Sequence, residues 1–220
     1  MRNCLEYLQQ QVDVERVYFL GDAVGYLPAY SEVVNLLEES SAICLMGNHD
    51  AMLLDRLPLD STRDESYRIC LNRKSLSHDQ TSVLGRWPER LEIEIENRSL
   101  LLVHGSPWEP LTEYIYPNAD LNRFAALEYD AVLMGHTHRP FVSSAGSTHV
   151  INVGSCGLPR DAGGLAACAI YDSAENAFQI LRIRMNVEEI CDRFQNQIHP
   201  SVRDCLHRPA RAELVGEIVE

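Results

Sequence analysis

Apolar residues at Leu5, Leu8 and Val12 recur at helical spacing, which predicts an amphipathic helix over residues 3–14. The pattern then changes. Val17-Tyr18-Phe19-Leu20 is a short, β-rich apolar run that stops at Gly21-Asp22, as a buried parallel strand does when its carboxyl end feeds a loop. The same pair of elements comes again at once. Val33, Val34, Leu36 and Leu37 line a helix over residues 31–39, and residues 42–46 form an apolar strand that stops at Gly47-Asn48-His49-Asp50. Residues 51–85 read as charged helices broken at Pro58, with a separate helix over residues 77–85, an insertion that would cap the fold. Leu91-Glu92-Ile93-Glu94-Ile95-Glu96 alternates with period two, Asn97-Arg98 can turn, and residues 99–103 return as an apolar strand ending at His104-Gly105, which predicts a hairpin with one wet face. Residues 120–128 suit a helix, and residues 131–134 are another apolar strand, ending at Gly135-His136-Thr137-His138. Residues 148–153, 164–171 and 177–184 read as consecutive antiparallel strands, followed by a polar helix over residues 186–197. The last twenty or so residues carry no strong pattern and are expected to be mobile. Helix alternating with strand predicts an α/β fold, with one main domain over residues 1–185 and a C-terminal helix and tail over residues 186–220.

Composition narrows the function classes. The chain has 220 residues, enough for one large domain with a sizeable core, and at 45% hydrophobic and 23% charged it is neither disordered nor fibrous in type. Its formal net charge of −13 would repel nucleic acid phosphates and anionic lipid head groups, so neither a nucleic acid nor a membrane partner is expected. No apolar run reaches the roughly 18 residues of a bilayer span, and the first residues lack the apolar core of a signal peptide, so a cytoplasmic location is expected. The seven cysteines are odd in number, scattered and without C-x-x-C spacing, which fits reduced core thiols better than a disulfide frame.

The chemistry sits where the strands stop. Asp22, Asn48 with His49, His104, and His136 with His138 each lie in a loop after a strand and next to a glycine or one residue from it. In open α/β sheets the crevice at the carboxyl ends of the strands is where ligands bind, so the topology gathers these side chains. A single histidine at a strand end is more often a satisfied hydrogen-bonding group, but several such loci in one geometry point to a common ligand. A carboxylate, an amide oxygen and several imidazoles suit Zn, Mn, Fe, Co or Ni better than Ca or Mg.

Gly21-Asp22, Gly47-Asn48-His49-Asp50, His104-Gly105 and Gly135-His136-Thr137-His138, in this order, resemble the calcineurin-like metallophosphoesterase superfamily. Val24-Gly25-Tyr26 and Asn152-Val153-Gly154-Ser155, the latter followed by Gly157-Leu158-Pro159-Arg160-Asp161, are similar to its small bacterial and archaeal phosphoesterases. The resemblance covers residues 3–184. It implies a four-layer sandwich of two mixed β-sheets flanked by helices, with a two-metal centre at one edge. It further implies that Asp22 bridges both ions, that Asn48, His104 and His136 complete the shell of the second, and that His138 belongs to the first. His49 would be the acid that protonates the leaving oxygen, oriented by Asp50. Arg160 is a candidate for steering the phosphate. The implied reaction is hydrolysis of a phosphoric ester by a metal-activated water, on a small phosphoester or a phosphoprotein.

One departure from the family pattern stands out. The family opens with a strand ending in D-x-H, then Gly-Asn or Ser-Asn and a helix, and Arg2-Asn3 with Leu5 and Leu8 match that Asn and helix. Met1 then stands where the histidine would be, and the strand and its Asp lie before the first residue. This leads to two expectations: a gap in the sheet beside residues 17–20, and a first ion left with only Asp22 and His138, so that one ion is retained and activity is impaired. A start downstream of the natural start codon is the favoured explanation and a truncated paralogue the other. The competing functional reading is a catalytically degenerate single-metal binder or scaffold.

Overall fold

The apolar runs that end in glycine become strands with their carboxyl ends at one edge. A computed structural model of the chain describes residues 1–11, 14–210 and 213–219. Its elements are α1 (Arg2–Gln11), β1 (Tyr18–Phe19), α2 (Tyr30–Glu39), β2 (Ile43–Cys44), α3 (Asn48–Leu53), α4 (Ser61–Tyr67), α5 (Ile69–Ser75), α6 (His78–Gly85), β3 (Arg90–Ile95), β4 (Arg98–Val103), β5 (Ala131–Met134), β6 (Phe141–Ala145), β7 (Thr148–Asn152), β8 (Leu165–Asp172), β9 (Ala177–Arg184), α7 (Val187–Phe194), α8 (Pro200–Leu206) and β10 (Glu217–Val219). No helix among the described residues is long and apolar enough to cross a membrane.

The larger sheet has the order β3-β4-β5-β7-β6, parallel through β4, β5 and β7 and antiparallel at both edges. Its strand β4 shows why a nearly continuous apolar run is needed in a sheet covered on both faces. Leu100 and Leu102 point into a core shared with Leu20, Leu45 and Ile180, while Leu101 and Val103 point into a second core with Ile115 and Phe124. The first of these cores lies between the larger sheet and a layer made of β1, β2, β8 and β9. A third core joins Val34 and Leu37 of α2 to Cys44, Ile69 and Leu84, which makes the helices α2, α5 and α6 an outer layer. The architecture is therefore the expected mixed α/β sandwich.

The layer facing the larger sheet is divided. β1 and β2 pair in parallel through Tyr18↔Ile43 and Phe19↔Cys44, whereas β8, β9 and β10 form a separate three-stranded sheet. Among the described residues no ladder joins the two, so the gap expected beside residues 17–20 is present. α1 packs Cys4 against Ala166, Leu181 and Ile183 of the three-stranded sheet, and the Met1 amine donates to the Cys156 carbonyl at 2.9 Å.

Three sequence expectations change. The strand expected over 148–153 does not pair with β8; it is β7, bonded in parallel to β5 and antiparallel to β6. Apolar alternation marks a strand but not its partner. The helix expected over 120–128 is a short 3-10 helix, Asn122–Ala126. In the tail, Pro200 opens α8 behind a His199 side chain that accepts from the Ser201 amide, and β10 adds in parallel to β9. Residues 211, 212 and 220 of that tail lie outside the described residues.

Candidate metal centre

Two glycines let the first two loops cross. A Cβ on Gly21 would stand 2.5 Å from the Gly47 amide nitrogen, and one on Gly47 would stand 2.1 Å from an Asp22 carboxylate oxygen, so any side chain at either position would push the loops apart. Asp50, in the first turn of α3, ties them together. Its carboxylate accepts from the backbone amides of Asp22 at 2.8 Å, Ala23 at 3.0 Å and Gly47 at 2.9 Å. Burial, helped by the nearby Asp22 carboxylate, pushes the Asp50 acid up to about 7 against those three donors.

Four polar side chains converge on this crossing. His104 Nε2 lies 3.3 Å from Asp22 Oδ2, 3.1 Å from Asn48 Oδ1 and 3.1 Å from His136 Nδ1. The opposite ring nitrogens face backbone carbonyls: His104 Nδ1 is 2.6 Å from Leu20 O, and His136 Nε2 is 3.3 Å from Thr112 O. A ring nitrogen that donates to a carbonyl leaves its partner nitrogen with a lone pair, and carbonyl-anchored histidines of this kind are typical metal ligands. The His104 Nε2 lone pair therefore faces Asp22 and Asn48, with His136 Nδ1 beside it. Among the described residues, Asp22, His104 and His136 form the group whose donor atoms all lie within 4.8 Å of one another. Four electron-rich atoms facing each other repel unless a positive charge sits among them. Burial alone would raise the Asp22 acid and lower the His104 imidazole, but their mutual attraction outweighs it: Asp22 is held well below the usual carboxylate range and His104 is raised. The donor set fits a divalent transition ion.

Eleven non-glycine residues among those described have left-handed backbone, and several of them belong to this site. Asp22, His136 and His138 adopt left-handed φ values of 63°, 61° and 58°. Such angles cost a non-glycine residue about 1 to 3 kcal/mol and cluster at functional sites.

His138 stands apart from the four. Its Nδ1 is held 2.7 Å from Leu158 O, and its ring meets Tyr26 edge-on at 5.9 Å. Burial, reinforced by the Arg160 charge, lowers this imidazole to about 3. Between the ordinary histidine value near 6.5 and that lower one, the unfolded chain binds a proton that the folded chain refuses, so stability falls as pH drops. His138→Gln is expected to flatten the fall by about 1.4 kcal/mol per pH unit below pH 6.5, read from urea midpoints at pH 7 and pH 5.

His49 lies between Tyr26 and Tyr67, with ring centroids 4.7 and 4.3 Å away. Burial lowers its imidazole. The expected orientation of its ring by Asp50 is not what the structure holds. Asp50 spends its oxygens on backbone amides, and His49 Nδ1 is buried without a partner. Gly25 fixes the ring instead: at φ 102°, a Cβ there would stand 2.2 Å from His49 Nδ1. Gly25→Ala is expected to displace the ring and lower kcat on a phosphate ester by about 100-fold while metal stoichiometry stays at the wild-type value; an unchanged kcat would remove Gly25 from the site.

Arg160 does not pair with Asp161. Its guanidinium donates to the Tyr26 hydroxyl at 2.7 Å, and its amide donates to the His138 carbonyl at 2.9 Å, which brings a positive charge to the rim. Asp161 turns inward and pairs with the fully buried Arg182. Sequence reading missed Tyr26, Tyr67, Asn72 and Tyr114. Asn72 accepts from the Gly25 amide at 3.0 Å, and Tyr114 lies on His136 with ring centroids 3.8 Å apart. Only Tyr26, beside Gly25, had a local signal.

Comparison with known proteins agrees with this geometry. The calcineurin-like phosphoesterase superfamily domain matches residues 1–176. An uncharacterised protein of Methanocaldococcus jannaschii is 26% identical over 195 residues, covering 80% of this chain and 79% of the relative. A metallophosphoesterase from Sphaerobacter thermophilus superposes with a TM-score of 0.77 at 25% identity, covering 93% of each chain. A hypothetical protein from Pyrococcus horikoshii superposes at 0.79 with 20% identity, over 96% of this chain and 92% of its own. With the donor set, the loop order and the sandwich all in agreement, this chain belongs to the calcineurin-like phosphoesterase superfamily.

Proposed function

We propose that this protein hydrolyses small phosphoric esters with one tightly held divalent transition ion. The observation that carries the reading is the convergence of Asp22, Asn48, His104 and His136, with both imidazoles anchored through their far nitrogens. Four protein donors are enough for a Zn-like or Mn-like site with water completing the shell. An ion there would act as a Lewis acid on a phosphoryl oxygen and lower the pKa of a coordinated water towards about 7.

The remaining groups have roles of their own. The Arg160 guanidinium and the Tyr26 hydroxyl, already hydrogen-bonded to each other, face the same rim and can hold the non-bridging phosphoryl oxygens. Burial lowers the His49 imidazole and so favours its neutral form. A docked phosphate dianion would favour its charged form, so His49 gains the proton it passes to the leaving alcohol when substrate is present. Packing between Tyr26 and Tyr67 keeps water off one side of this ring.

Among the described residues the compact donor group comprises Asp22, His104 and His136 without His138, which supports one tight site per chain and slow turnover. The test is to titrate the full chain with Mn by calorimetry and to assay p-nitrophenyl phosphate and its bis-ester. One equivalent of tightly bound Mn, with hydrolysis that tracks its occupancy, is expected. Tight binding with no hydrolysis of either ester would favour the single-metal binder; no binding would overturn the proposal.

A further inference from the structure

The loop after β4 carries three large aromatic side chains that the core does not absorb. Ile115 is 4% exposed and packs into the core with Phe124, so the extended chain turns its neighbours Tyr114 and Tyr116 outward, 38% and 40% exposed. The loop that holds them is not slack. Ser106 bonds Glu113, Glu113 pairs with Arg123 at 2.5 Å, and the Arg123 guanidinium sits 3.8 Å over the Trp108 ring. Tyr114 and Tyr116 lie nearly parallel, 9° apart, with centroids separated by 5.9 Å. Tyr114 also lies against His136, ring centroids 3.8 Å apart and planes 31° apart. The ring contacts therefore run from His136 at the metal centre through Tyr114 to Tyr116, which is 40% exposed.

Exposed aromatic rings held parallel are suited to stacking on a planar ligand, and every nucleobase presents such a face. The position of the row selects among aromatic ligands. In an aryl phosphate the ring is joined directly to the phosphate oxygen and would lie at His49. In a nucleotide a sugar separates the two, which places the base one or two rings out from the ion. The net charge of −13 opposes a long polyanion but tolerates a single phosphate at a local site that contains Arg160.

We propose that Tyr114 and Tyr116 form a stacking platform for the base of a mononucleotide whose phosphate is held at the metal centre. This rests on the phosphoester reading above. The test measures, on the Mn-loaded full chain, the Kd values of AMP, ribose 5-phosphate and phosphotyrosine. AMP is expected to bind about 10-fold or more tighter than ribose 5-phosphate. Tyr116→Ala should erase that preference while leaving ribose 5-phosphate unchanged, and Tyr116→Phe should keep it. Equal affinity of AMP and ribose 5-phosphate in the wild type, or a preference that survives Tyr116→Ala, would overturn the platform and leave the phosphoester reading standing. Phosphotyrosine binding more tightly than AMP would likewise overturn it in favour of a phosphoprotein. If no phosphate compound binds and no ester is hydrolysed, the phosphoester reading itself fails.

Discussion

His104→Ala is expected to lose the divalent ion, with Mn affinity reduced about 100-fold or more and ester hydrolysis falling to background. The magnitude comes from position. Losing an outer group that merely orients a ligand costs about 10 to 100-fold, and His104 is itself the ring at the centre, within 3.3 Å of Asp22, Asn48 and His136 donors. The variant also removes the partner of the Leu20 carbonyl and a ring that helps hold the Asp22 acid below the usual carboxylate range. His104→Gln separates these losses, because an amide can still reach the carbonyl but offers a poorer ligand. Calorimetric titration of both variants with Mn decides the matter, and wild-type affinity in either would remove His104 from the ligand set.

Asp161→Asn should cost about 3 to 5 kcal/mol of stability, a large share of what an ordinary domain has. Arg182 has no exposed side-chain surface, and its guanidinium is paired with Asp161 through two nitrogens, with further donations to Leu165 O at 2.8 Å and Val215 O at 3.3 Å. Removing the carboxylate strands a charge in the interior, whereas removing both charges does not. Arg182→Met combined with Asp161→Leu should therefore recover most of the loss in urea denaturation. The same pair holds the loop between β7 and β8, from which the Leu158 carbonyl fixes His138 and Arg160 reaches Tyr26. Phosphate affinity is thus expected to weaken in Asp161→Asn even under conditions where it is folded. Stability within about 1 kcal/mol of wild type would show that water relieves the buried charge.

The strand ends were legible in the sequence because a buried parallel strand is a local pattern, an apolar run stopped by a glycine. Asp22, Asn48, His104 and His136 lie at four such stops, and the structure brings all four together. The family match agrees with the resemblance those motifs carried. Features that depend on contacts between distant segments were not legible. Nothing near Thr148 tells whether β7 joins β5 or β8, since both neighbours would accept the same apolar alternation. Asp50 comes directly after His49 in the chain, yet it faces the backbone of the neighbouring loop while Gly25, twenty-four residues earlier, sets the ring. Tyr114 touches His136 through a loop whose course is fixed by the Glu113–Arg123 pair, a relation between two charges that the sequence offers no reason to match.

The left-handed angles at Asp22, His136 and His138 have an evolutionary corollary. Positions that chafe against their own backbone are ones where random replacement by glycine or asparagine relaxes the chain, so drift in a lineage released from selection would erode the ligands first and leave a sturdier, inert protein. At these positions backbone ease and the donor side chain pull against each other, and a glycine substitution relieves the one by deleting the other.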